Sequence, residues 1–305
     1  MNSIVILDEI QSYNNQLWGE ISYFLKEFAY LMNIKIVIMS ATLPDFDKLT
    51  NQIYPAVRLM ENQEKYFQNP CFRNRVKIFY ELLDCENIED ALTEHIRKSS
   101  AKNKKILVEF IKKGSAYKFF QRLLEDEEIS CDVEYMSGDD SVIERRRILE
   151  KIKSSQKGII LVATQVIEAG VDIDMDIGYK NISKLDSEEQ FMGRINRSCK
   201  REGEVYFFKL DDGKEIYKGD VRIQKPFTLE NQQVRELLRE KDFGAYYDGI
   251  LEVIKRNFND NTGETGLKDF FQNQVGKLDW PKVRERMELI PDDNWSMQVF
   301  LAHTL

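Results

Sequence analysis

Apolar and polar positions follow two alternating periods along the chain. Ile4 to Leu7 is a run of four apolar residues that stops at Asp8-Glu9. Leu17, Ile21, Phe24, Leu25, Phe28 and Leu31 then recur at helical spacing, which predicts an amphipathic helix with these residues inward. Ile34 to Met39 is a second apolar run and stops at Ser40-Ala41-Thr42. Strand, helix, strand at this spacing is the crossover unit of a parallel sheet, with both strands expected to be buried. Residues 55 to 100 are less regular and are punctuated by Pro55 and Pro70; Arg75 to Leu83 fits a strand or a bridging segment.

A second alternating series follows. Ile106–Ile111, Val133–Met136, Gly158–Ala163, Asp176–Tyr179 and Glu204–Phe208 read as strands. Ser115–Leu124 and Ser141–Ile152 read as helices between them. Strands alternating with helices over roughly residues 100–210 predict a doubly wound α/β domain. Beyond it, Leu229 to Phe258 is mostly helical in pattern, with a last strand expected at Met297–Leu301.

Composition narrows the class. The 305 residues suffice for two or three compact domains, at about 100–200 residues each. With 42% hydrophobic and 31% charged residues the chain is ordinary globular material. No apolar run approaches a membrane span, and the first residues lack the basic start of a signal peptide, so a cytoplasmic location and no membrane are expected. Cys71, Cys85, Cys131 and Cys199 form no CxxC pair, which predicts reduced, mostly buried thiols and no zinc. The net charge of −8 argues only weakly against nucleic acid, because phosphate contacts need local clusters. Arg97–Lys105, Arg145–Arg147 and Arg194–Arg201 are such clusters; the first is expected to be a solvated face.

Four segments carry candidate chemistry. Asp8-Glu9-Ile10-Gln11 stands at the carboxyl end of a strand, the edge where open α/β sheets bind ligands. One carboxylate there suits a magnesium ion and the next can orient or deprotonate water. Ser40-Ala41-Thr42 ends the next strand, where hydroxyls could bond to those carboxylates. In Ala163 to Asp172 a strand feeds a short helix with Thr164 as N-cap, Gly170 as a left-handed terminator and Asp172 in a turn open to a ribose hydroxyl. Each of these alone could be a plain turn; in order, they are harder to dismiss. The fourth is sharpest. Asp186-Ser187 ahead of Glu189-Gln190 looks like a capping box. In the expected helix, Gln190, Gly193, Arg194 and Arg197 share one face at ~100° per residue, with Phe191, Met192, Ile195 and Cys199 on another. Two guanidiniums directed to one place suit phosphoryl-transfer charge.

Read together, the segments resemble the superfamily 2 helicases: Asp8 to Gln11 motif II, Ser40 to Thr42 motif III, Thr164 to Asp172 motif V, and Gln190 to Arg197 motif VI. Val108 to Ala116 resembles the motif IV region. Within that superfamily the chain resembles the CRISPR-associated helicase-nuclease of type I systems, on Asp-Glu-Ile-Gln, on Ser137-Gly138-Asp139-Asp140 followed by Glu144-Arg145-Arg146, on Gln190 to Arg197, and on Trp280 to Leu301. The resemblance implies a RecA-like α/β helicase fold: residues 1–60 ending a first lobe, 61–100 connecting, 101–210 forming the second lobe, and 211–305 holding linker helices and part of a C-terminal domain. It implies ATP and Mg²⁺ as cofactors, with Asp8 on the metal and Glu9 activating water. Gln11 and Gln190 would report on the γ-phosphate and Arg194 and Arg197 would contact it. Asp172 would contact the ribose and Gly170 would belong to the ATP-binding residues, with Thr164 on the DNA backbone and Ser40 and Thr42 in coupling. The implied partners are single-stranded DNA and a guide-RNA (CRISPR RNA) surveillance complex.

Nothing in the 305 residues fits GxxxxGK(S/T), and the only histidines, His95 and His303, form no nuclease-like cluster. The expectation is a helicase fragment, inactive alone toward ATP with single-stranded DNA, and either a partner chain supplying the N-terminal half or a truncated product. Another superfamily 2 RNA or DNA helicase, or a non-catalytic docking module, would fit parts of the same pattern.

Overall fold

The computed structural model describes residues 3–50, 56–60, 65–66, 68–69, 73–168, 170–261 and 263–286. The expected strand at Met297–Leu301, Cys71, His303 and most of the C-terminal tail lie outside them. The chain divides into two compact units, residues 57–246 and residues 1–56 with 247–305, so the region expected as 211–305 is shared between both.

The larger unit is built on a six-stranded, all-parallel sheet. Its strands are β3 (Val76–Phe79), β4 (Lys105–Glu109), β5 (Asp132–Met136), β6 (Ile159–Ala163), β7 (Ile177–Asn181) and β8 (Gly203–Phe208), in the order β3-β8-β7-β4-β6-β5. Every residue of β6 and β7 is buried, as a parallel sheet covered on both faces requires. On one face lie α2 (Ile88–Ser100), which the irregular pattern of 55–100 did not reveal, and α3 (Lys113–Leu124). Leu92, Ile96, Phe119 and Leu123 from these helices close over Ile106, Val108, Ile160, Val162 and Tyr179. On the other face lies α4 (Val142–Ser154), capped by Ser141 and tied to β5 by Arg147 and Lys151, each 2.7 Å from Glu134. With it lies α5 (Leu185–Met192), seated where Gly178 leaves room: a Cβ at Gly178 would stand 2.6 Å from the Phe191 ring. The unit continues into α6 (Gln232–Glu240). The cluster at Arg97–Lys105 is not a purely solvated face, since Arg97 holds Asp126 at 2.7 Å and Lys105 Nζ donates to Ile152 O at 2.6 Å.

The smaller unit contains β1 (Ile4–Leu7) paired in parallel with β2 (Lys35–Ile38), and α1 (Trp18–Met32) between them. These strands were expected to be buried, but Ile4 is 67% and Ile6 62% exposed. Two strands offer no sheet wide enough to enclose them, and no described residue covers that face. Helix α1 likewise departs from expectation along its length. Its first two turns are buried, while Leu31 is exposed. Trp18 packs on Phe46 and Tyr247, and Gly19 abuts the Phe258 ring of α7 (Phe243–Asn261), 2.8 Å from where a Cβ would stand. Phe24 meets Phe271 of α8 (Gly263–Gly276), and α9 (Trp280–Arg286) ends with Arg286 paired to Glu20. Of the thiols, Cys85 and Cys199 are exposed and Cys131 half-buried, against the expected burial. His95 packs edge-on against Tyr206.

Candidate functional site

In the smaller unit, β1 and β2 run in register from Ile4↔Lys35 to Leu7↔Ile38 and deliver their carboxyl ends side by side. Met39 N–H donates to Leu7 O at 2.8 Å, so Asp8-Glu9 and Ser40-Ala41-Thr42 are neighbours. Asp8 and Glu9 are exposed. Glu9 adopts the left-handed conformation (φ 51°, ψ 44°), uncommon for a non-glycine residue. Its N–H donates to Asp8 Oδ1 at 2.9 Å, and the buried Gln11 donates its amide to the Glu9 carboxylate. The Ser40 hydroxyl, expected to bond to the carboxylates, instead accepts the Thr42 N–H at 3.0 Å. Thr42 Oγ1 is buried with no hydrogen-bond partner among the described residues. Those residues include no cluster of three or more metal-ligating side chains. Magnesium needs no such cluster, because it keeps its water and is usually held by one or two carboxylates and substrate phosphates; the exposed Asp8 fits that role.

In the larger unit the site gathers at the carboxyl ends of β4, β6 and β7. After Ala163 the chain was expected to enter a helix capped by Thr164. It forms a single 3-10 turn, Gln165–Ile167, and Thr164 makes no side-chain cap. A turn that short has too few aligned N–H groups to act as a helix terminus. Gly170 has the expected left-handed φ of +71°. Asp172, expected to be open to a ribose, stands 3.4 Å from Arg197 Nε.

The helix expected to carry Gln190 through Arg197 on one face stops at Met192. Arg194 and Ile195 N–H groups bond three residues back, and Asn196 turns left-handed at φ 46°. Its side-chain amide donates to Arg75 O at 2.9 Å, holding the turn to the start of β3. Phe191, Met192 and Ile195 are buried as expected, but Cys199 lies beyond the turn, exposed and left-handed. The expected capping box does not form. Asp186 pairs with the buried Arg222 at 3.1 Å, and Glu188 reaches back to accept the Ser183 N–H at 2.6 Å.

Arg194 donates from Nε to Ile167 O at 3.0 Å and from Nη2 to Glu168 O at 2.5 Å, while Arg197 meets Asp172. Arg194 is thus held by the main chain at Ile167 and Glu168, and Arg197 stands beside Asp172 in a looser, exposed pair. Burial, then the neighbouring Arg197 charge, push Arg194 below the ordinary guanidinium range. Arg201 is spent on Asp176 and Asp174, at 2.5 and 3.2 Å.

Residues 49–200 match the family model described as CRISPR-associated nuclease/helicase Cas3, C-terminal. The CRISPR-associated nuclease/helicase Cas3 of Methanothermobacter thermautotrophicus is 25% identical over 93% of this chain and 35% of that relative. The chain is thus similar to Cas3-like helicases over most of its length. A putative Cas3 of Methanocaldococcus jannaschii is 28% identical over 68% of this chain and 29% of its own length, so the chain spans about a third of the curated Cas3 relatives. In fold it is similar to the ADP-bound Cas3 of T. fusca, with a TM-score of 0.59 and 15% identity over 94% of this chain and 39% of that one. The Cas3-like fold is thus the RecA-like α/β one expected, with a helical C-terminal part.

One group in this Cas3-like site escaped the sequence reading. Lys180, on the sheet face that Gly178 opens, is buried among Glu109, Glu168 and Glu188. The signal was present: a lysine inside the fully buried strand Ile177–Asn181 must have a partner to stay charged. Which carboxylates supply it depends on strand order, which local pattern does not encode.

Proposed function

We propose that this chain serves an ATP-driven motor on single-stranded DNA in CRISPR type I antiviral interference, recruited in the cytoplasm by a guide-RNA surveillance complex. Asp8 carries Mg²⁺ and Glu9 handles the attacking water. Gln11 and Gln190 sense the γ-phosphate, Asp172 receives the ribose, Gly170 lies among the ATP-binding residues, and Thr164 meets the DNA backbone. Ser40 and Thr42 couple nucleotide state to movement. Bound ATP–Mg²⁺ supplies the phosphoryl group and the metal charge; the chain positions them.

The observation that carries this reading is that Arg194 bonds to Ile167 O and Glu168 O while Arg197 meets Asp172. It joins the arginine-bearing segment to the ribose- and DNA-contacting segment in one unit, as a motor must to transmit nucleotide state. The Arg197–Asp172 pair is exposed and loose, worth at most about 1 kcal/mol, so a phosphate can take the guanidinium at little cost. The T. fusca Cas3 neighbours in complex with ADP and AMPPNP support a nucleotide as ligand.

The test is ATP hydrolysis with and without single-stranded DNA, in a motor that joins these residues to a GxxxxGK(S/T) loop. Arg194→Ala and Arg197→Ala should each lower stimulated turnover by about a thousandfold, the size of an arginine-finger effect. Turnover unchanged in both variants overturns the assignment.

A further inference from the structure

We propose that Lys180 is a positioning residue: through Glu168 it holds the main-chain oxygens of Ile167 and Glu168 so that Arg194 is aimed. The inference rests on the reading that Arg194 serves the nucleotide, and it adds a residue that none of the helicase-like motifs contains.

Glu168 is engaged from two sides. Its main-chain oxygen accepts Arg194 Nη2 at 2.5 Å, and its carboxylate takes Lys180 Nζ at 2.9 Å. Lys180 in turn is anchored in the sheet. It is the register partner of Glu109 on the adjacent β4, and the two side chains are paired. Glu109 lies opposite Ala163 of β6, the residue from which the turn departs. The turn thus leaves the sheet at Ala163 and is fastened back to it one strand beyond β4, by an ammonium that is 1% exposed. Gln165, at the start of the turn, donates its amide to Ile111 O at 3.0 Å and gives a second attachment.

The charge balance favours the Glu168 link. Three carboxylates surround one ammonium, and burial of that much negative charge is untenable unless protons remain. Glu188 accepts the Ser183 N–H and stands 3.8 Å from Lys180, the longest of the three contacts. Burial pushes the Glu109 and Glu188 carboxyls up, whereas for Glu168 burial is outweighed by the Lys180 ammonium, which holds its carboxyl low. Glu109 and Glu168 both bond to the Lys180 ammonium directly, so it ties the sheet to the chain at Glu168. Without that ammonium, a buried anion would be left beneath the arginine turn and would have to move or take up a proton.

The experiment follows the Arg194 Nε–H by nuclear magnetic resonance in the full chain carrying isotope-labelled arginine. In Lys180→Met its hydrogen exchange should rise by about tenfold or more, as expected when a local bond opens. The Arg97 Nε–H, bound to Asp126 elsewhere in the same unit, is the control and should not change. Glu168→Gln keeps the Lys180–Glu109 pair and should raise Arg194 exchange in the same direction, which covers the case in which Lys180→Met does not fold. Arg194 exchange unchanged in folded Lys180→Met or in Glu168→Gln, or rising equally at Arg97, overturns the proposal. In a complete motor, Lys180→Met should lower kcat with little change in KM for ATP. Exchange as expected together with an unaffected Arg194→Ala motor would sink the nucleotide role and leave the positioning intact.

Discussion

At the level of single residues, the titration of Glu188 has a measurable consequence. Burial raises its carboxyl from 4.5 to about 8; Lys180 and the Ser183 N–H oppose the rise, and Glu168 and Asp186 add to it. Below pH 4.5 the group is protonated in both folded and unfolded chains. Between 4.5 and about 8 the unfolded chain has lost a proton that the folded chain retains, so stability falls as pH rises through this window. Glu188→Gln removes that contribution. Urea unfolding at pH 5 and pH 8 should give a smaller loss of stability between the two for Glu188→Gln than for the parent; an equal loss would place the proton elsewhere. Asp8, Glu9, Thr164, Gly170, Asp172, Arg194 and Arg197 were all nameable from local pattern, since each sits at a strand end or turn with distinctive chemistry. The Lys180 cluster was not, because its four members come from four separate segments.

At the level of elements, the informative difference lies in the segment from Asp186 to Cys199. Helical periodicity correctly placed Phe191, Met192 and Ile195 inward, yet the helix ends at Met192. Packing decides this. Ile195 seats against Gly178 and Gly203, and the Asn196 amide binds the start of β3 from a left-handed turn. The early end is what turns Arg194 back to Ile167 and Glu168. Gly178→Ala tests this packing. The added methyl would lie 2.6 Å from Phe191 and 2.9 Å from Ile195, both fully buried, so a loss of about 1–3 kcal/mol is expected in denaturant unfolding. Because the same contact seats the arginine turn, motor turnover should fall with it. A variant as stable as the parent would mean that the α5 side chains can yield.

At the level of the whole molecule, the two units differ in how well they bury their strands. The interior strands of the six-stranded sheet are closed on both faces, whereas β1 and β2 leave Ile4 and Ile6 largely exposed. Native-state hydrogen exchange should therefore find the β6 and β7 amides protected up to the global unfolding free energy, and the β1–β2 amides exchanging through much cheaper local opening. Equal protection in the two sheets would require cover for β1 and β2 in solution. A partner that supplies further strands of the same sheet would raise protection in β1–β2 selectively.

Local sequence was enough to determine the strand–helix alternation, the α/β class, the family resemblance and the residues at the strand ends, because each follows from a period of two or 3.6, or from a short motif. It also implied a charged partner for Lys180 without naming one. Only the tertiary structure decided that β1 and β2 lie open, that the 164–167 segment is a turn, that Arg194 grips two main-chain carbonyls, and that Glu109, Glu168 and Glu188 meet one ammonium. Those outcomes depend on strand order and on which side chains share a buried volume, and residues 71 positions apart, as Glu109 and Lys180 are, acquire their interaction only when the sheet sets β4 against β7.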